Sequence, residues 1–178
     1  MNVARGLVDN HQSVERSAYM PATSNTETSI WVEGGIYPHT TWTSASVLYV
    51  ASSTAADTGQ TIFIEGLDSN YVYQTDTVTT NGTTAVTTTK QFIRIYTATI
   101  TAGAVNTGDI RFRITSSTGT VVAHIGIGLS VTKLSQYTVP AGYTAYIQYG
   151  DVATFKSGSG QQGGLVKMMV RPYGGTFF

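Results

Sequence analysis

Short runs of the chain alternate between apolar and polar residues with a period of two, and clusters of turn-forming residues separate the runs. Successive side chains of a strand point to opposite faces, so this period predicts half-buried β-strands. From Ile30 onward the runs are rich in Val, Ile, Thr, Tyr and Phe and are broken by Gly, Asn, Asp and Pro. Ile62 and Ile64 alternate with Thr61, Phe63 and Glu65 before a turn at Gly66-Leu67-Asp68-Ser69-Asn70, and Tyr71 to Thr80 resumes as a half-wet strand. Asp109 to Thr115 alternates most cleanly, with Ile110, Phe112 and Ile114 directed inward and Arg111, Arg113 and Thr115 outward. In the next run Ala123, Ile125 and Ile127 share one face and His124 takes the other.

Asn81-Gly82 is the strongest local turn signal, because both residues tolerate the positive φ of a two-residue type I′ hairpin turn. Further strand-like runs flank Val139-Pro140-Ala141-Gly142-Tyr143, the second containing Tyr146, Ile147 and Tyr149. Lys156 to Gly164 reads as a linker or long loop, and Leu165 to Arg171 as a last strand. About eight to ten short strands without crossover helices predict an all-β, antiparallel β-sandwich or jelly-roll-like domain over residues 29–178.

Residues 1–28 hold neither a helical nor a strand period and read as an extended N-terminal arm. Its scattered apolar residues cannot form a core, which makes Val3, Leu7, Val14, Tyr19 and Met20 candidate partner-binding residues. Phe177 and Phe178, behind Gly174-Gly175-Thr176, are candidate anchors of the same kind.

Composition narrows the function classes. Only 11% of the 178 residues are charged, and ten Lys plus Arg balance ten Asp plus Glu. That balance lacks the basic footprint of a nucleic-acid binder and favours association over mutual repulsion. No cysteine is present, so disulfide and thiolate chemistry are excluded. No run approaches the roughly 18 apolar residues of a membrane-spanning helix, and the first 20 residues lack the apolar stretch of a secretory signal.

Candidate chemistry is sparse. His11, His39 and His124 lie in different segments with no local partner, His124 reading as a hydrogen-bonded histidine of the sandwich. Gly126-Ile127-Gly128 lacks the third glycine and the helix of a phosphate loop, and reads as packing. Asp68-Ser69-Asn70 offers too few oxygens for calcium. A catalytic carboxylate pair would have to be drawn from ten acids, most of them in turns or at strand edges. Eleven tyrosines with Trp31 and Trp42 leave room for a sugar-stacking face or for interface anchors. No catalytic residue, metal ligand or cofactor is expected.

The string Gln60-Thr-Ile-Phe-Ile-Glu-Gly-Leu-Asp-Ser-Asn-Tyr71, continuing through Thr79-Thr-Asn-Gly-Thr-Thr-Ala-Val-Thr-Thr-Thr-Lys-Gln-Phe-Ile-Arg-Ile-Tyr96, resembles uncharacterised structural proteins of marine and freshwater tailed phages. Tyr137-Thr-Val-Pro-Ala-Gly-Tyr-Thr-Ala-Tyr146 is similar to their later segment, although Tyr143 stands where that family has a lysine. The likeness covers roughly residues 45–150. It implies a non-enzymatic structural role in a virion, as a capsid decoration or cement protein on the head surface. A tail, neck or fibre-associated protein, or a glycan-binding module, is the alternative. The expected partners are the major capsid protein or another virion protein and further copies of this chain, with no nucleic acid and no membrane. The expected location is the virion, after synthesis in the host cytoplasm.

Overall fold

The computed structural model describes residues 12–20, 26–147, 150–153 and 166–171. The chain divides into two compact units, Met1–Tyr143 and Thr144–Phe178. Seven strands occur among the described residues, all in the first unit: β1 Tyr49–Ser52, β2 Thr58–Leu67, β3 Tyr73–Asn81, β4 Val86–Thr87, β5 Arg94–Ala102, β6 Ile110–Arg113 and β7 Val121–Ile125. No helix is found among the described residues. The strands form two antiparallel sheets, β4-β1-β6-β7 and β3-β2-β5, consistent with a β-sandwich.

The alternation read from the sequence explains the core. Val50 of β1, Ile62 and Ile64 of β2, Ile110 and Phe112 of β6 and Ala123 and Ile125 of β7 are fully buried in one cluster drawn from both sheets. Arg111 and Arg113 face outward and are partly exposed. Ile127 departs from expectation: β7 ends at Ile125, and Ile127, two residues into the following turn, is 63% exposed. The expected strands around Tyr146 and over Val166–Arg171 are also not formed. Residues 144–147 and 166–171 take no strand structure, while Tyr149 and Leu165 lie outside the described residues.

The Asn81-Gly82 turn forms, but differently from a type I′ hairpin. Asn81 is the last residue of β3, Thr84 N–H donates to Asn81 O at 3.0 Å, and of the two central residues only Gly82 has a positive φ, 57°. The strands it joins do not pair as a hairpin, because β3 belongs to the three-stranded sheet and β4 to the other. The turn thus carries the chain from one layer to the next. Gly82 is required on two counts, since a Cβ there would also lie 2.9 Å from the Ala55 backbone.

A second, smaller cluster of Leu67, Ile93 and Tyr96, with Ala45, Tyr71 and Tyr137 against it, buries the other face of the three-stranded sheet at one end. It forms where a register shift between Glu65 and Gly66 lets β5 approach closely. A Cβ at Gly66 would stand 2.1 Å from Arg94 O.

The β5 edge of the three-stranded sheet is covered by backbone pairing, while β3 carries side-chain contacts. Along β3, Asp76 accepts the N–H groups of Thr89 and Lys90 at 2.8 and 2.9 Å, and Lys90 Nζ donates to Thr75 O at 2.7 Å. Along β5, Ile100 N–H donates to Ser130 O and Thr132 N–H to Ala98 O. Irregular chain thus occupies edge positions of β5 that would otherwise template another strand.

Both tryptophans belong to the core, Trp31 edge-on to Tyr37 at 5.1 Å and Trp42 beneath the Arg94 guanidinium. Neither is available to a sugar-stacking face. Arg94 Nη1 donates to Trp42 O at 2.8 Å and to Ile93 O, pinning the segment before β1 to β5.

Candidate functional site

The antiparallel register of β6 and β7 sets Arg111 directly opposite His124. Asp109, two residues before Arg111, shares that outer face because side chains repeat every second residue. An outer-face histidine of an edge strand would ordinarily be wet. Here residues 29–37 cover it: Tyr37 OH donates to Val122 O at 3.0 Å, Ser135 Oγ donates to Ile30 O, and Glu33 reaches over β7. The His124 side chain is only 5% exposed as a result.

Four ionisable groups close a ring. Arg111 Nε donates to Glu33 Oε2 at 2.8 Å and its Nη2 reaches Asp109 Oδ2 at 3.3 Å, while His124 Nδ1 stands 2.8 Å from Glu33 Oε2 and Nε2 stands 3.0 Å from Asp109 Oδ1. Neither imidazole contact has the directed geometry of a hydrogen bond. Burial pushes the Asp109 carboxyl up, but the contacts from His124 and the Arg111 charge outweigh it and leave its pKa below the ordinary value.

The ring floors an open groove of about 660 Å³. Val32, Ile127, Leu129 and Tyr19 supply apolar walls, and Lys133 adds a further cation. The chemistry available is constrained. A carboxyl serving as general acid in glycoside hydrolysis needs a raised pKa, and Asp109 is shifted the other way. Both ring nitrogens of His124 face carboxylates rather than the groove. Among the described residues, no three His, Cys, Asp or Glu side chains are arranged to hold a metal ion. The arrangement suits holding chain segments together and presenting a mixed apolar and polar surface.

The residues singled out from the sequence are dispersed. Val14 and Tyr19 are exposed, Met20 is half-buried, and Val3, Leu7, Phe177 and Phe178 lie outside the described residues. Among the described candidates only Tyr19 reaches the groove. Arg16, not among the candidates, fixes this segment: its guanidinium lies 4.8 Å over the Tyr96 ring and 5.3 Å over Tyr137. His39 packs on Tyr37 with ring centroids 4.6 Å apart. Asp68 closes its own turn, accepting the N–H groups of Asn70 and Val72 at 2.8 and 2.9 Å.

Sequence reasoning missed the partners of His124 because Glu33 and Asp109 are 91 and 15 residues away along the chain. The one available signal was Arg111 and His124 on the outward faces of consecutive strands. A comparison with protein-family models, curated proteins and solved structures finds no match to this chain.

Proposed function

We propose that this chain is a non-enzymatic structural protein of a tailed-phage virion, a decoration protein that sits on the head surface and binds the major capsid protein. The observation that carries this reading is the surface of the second unit. Tyr146 is 75% exposed and Met168 62% exposed, and Ile147, Val152, Met169 and Val170 are exposed with them, in segments without strand or helix. Apolar side chains exposed in that number on so short a stretch support contact with another protein. The covered β5 edge of the three-stranded sheet fits the same reading, because uncontrolled strand pairing would compete with ordered assembly. The low charge and the phage-like segments of residues 45–150 add to it.

The test is the location and copy number of the chain in purified particles. Density for the sandwich on the outer capsid surface, at a fixed ratio to the capsid protein, is the expected result. Density at the tail, neck or fibre would support the alternative placement. Absence from particles, together with selective retention on a glycan array, would replace the reading with that of a glycan-binding module.

A further inference from the structure

The edges of the two sheets are not alike. β5 is covered by the backbone of residues 130–132, and β7 by residues 29–37, with Tyr37 Oη on Val122 O. β4 has only two residues, Val86 and Thr87. β3 is nine residues long and has β2 as its single neighbour in the sheet. Ala98 and Ile100 of β5 direct their backbone groups away from β2, opposite Ile64 and Ile62. Antiparallel alternation across β2 then turns those of Thr75, Thr77 and Thr79 outward on the other side. Side chains hold two of these groups: Thr75 O accepts from Lys90 Nζ, and Thr77 N–H donates to Asp76 Oδ1 at 2.8 Å. Thr75 N–H, Thr77 O and both groups of Thr79 have no hydrogen-bond partner among the described residues.

The second unit of the chain holds a strand-like segment without a neighbour. Val166, Met168 and Val170 alternate with Lys167, Met169 and Arg171, which is the period of a strand. Val166–Val170 is exposed throughout and takes no strand structure in the single chain. Its five residues match the five of Thr75–Thr79. The 22 residues between Tyr143 and Val166 can extend to roughly 70 Å, enough to carry the segment to a neighbouring molecule. A net charge of zero sets up no repulsion between copies.

We propose that Val166–Val170 of one copy adds as a strand to the β3 edge of a second copy, alongside Thr75–Thr79. Main-chain hydrogen bonds to the outward groups of β3 supply the recognition, and Val166, Met168 and Val170 continue the inner row that Val78 holds on β3. Exchange in both directions closes a two-fold dimer, in which each copy gives one segment and receives one. The Asp76 and Lys90 side chains confine the pairing to a short stretch, which keeps it from running on into open-ended stacking. The proposal does not rest on a virion role, and Tyr146, Ile147 and Val152 stay available to a further partner.

The experiment combines light scattering with amide hydrogen exchange, read by nuclear magnetic resonance, on the full chain from about 10 μM to about 1 mM. At the upper end the mass should reach that of a dimer. The amides of Thr79 and alternate amides of residues 166–170 should there exchange at least about tenfold more slowly than at the lower end. Met168→Pro removes a donor from a segment with no strand or helix to disrupt, so the domain keeps its fold while the dimer and both sets of slow amides are lost. Met168→Val should retain them, and the slow amides of β2 report that each variant is folded. A chain that stays monomeric over the whole range would overturn the proposal. So would a dimer in which Thr79 and residues 166–170 exchange freely, or an unchanged dimer in Met168→Pro. Protection of both stretches in a monomer would mean that each copy fills its own edge, and would overturn it equally.

Discussion

The carboxylate of Asp57 accepts the amide proton of Gly108 at 2.9 Å, across 51 residues of chain. The same side chain accepts from Thr107 N and Oγ1 at 2.8 and 2.9 Å and from Ser52 Oγ at 2.6 Å, and it is 1% exposed. One buried carboxylate therefore joins the loop before β2 to the loop before β6. Burial raises its pKa, but the Ser52 hydroxyl and the Thr107 and Gly108 donors outweigh burial and bring it to about 2. Because the folded-state pKa lies below the unfolded one, the contribution to stability is present above the usual carboxylate value. It is lost as the pH falls from 3.8 toward about 2. Urea titrations across that range should show the loss in the native protein and its absence in D57N. At neutral pH D57A should cost about 2 to 5 kcal/mol, because several buried donors lose their acceptor.

Phe112 lies at the centre of the core, fully buried between the sheets. Phe112→Ala should cost about 3 to 5 kcal/mol through lost transfer energy and the cavity left behind. Denaturant midpoints of the two proteins at equal m-value give this directly, and a cost near zero would mean that the ring is not in the core.

The turn after β3 distinguishes its two residues. Asn81 has an ordinary strand backbone, so Asn81→Thr should change stability by no more than about 0.5 kcal/mol. Gly82→Ala meets both a positive φ and the Ala55 backbone and should cost well over about 1 kcal/mol. Comparable effects at the two positions would favour a type I′ turn, in which both residues need positive φ.

Arg16 ties residues 12–20 to the sandwich through Tyr96 and Tyr137, while Val14 and Tyr19 stay exposed. Arg16→Ala should lower global stability by about 1 kcal/mol or less, the usual range for an accessible cation–π contact. It should also speed chymotryptic cleavage after Tyr19, since the segment has no strand or helix to hold it. Time courses of limited proteolysis, read by mass, provide the check. Unchanged cleavage would mean that other contacts hold the segment.

What the sequence determined by itself was local and periodic. Alternation placed Ile62, Ile64, Ile110, Phe112 and Ile114 in the core, because strand geometry alone sends every second side chain to one face. Turn chemistry located the breaks near Asp68–Asn70 and at Gly82, although β2 runs on through Gly66 and Leu67 and the turn takes in Tyr71 and Val72 before β3 begins. The tertiary structure decided what depends on distant chain. The alternation leaves His124 on an outer face, and only the return of residues 29–37 over β7 buries it. Trp31 and Trp42 are core although both lie in the irregular segment before β1, which no period encodes. Asp57 reads as one turn acid among several until the loop around Thr107 and Gly108 meets it. The segments around Tyr146 and Met168 have strand-like composition and form no strand, since a ladder needs a neighbouring backbone and composition does not supply one.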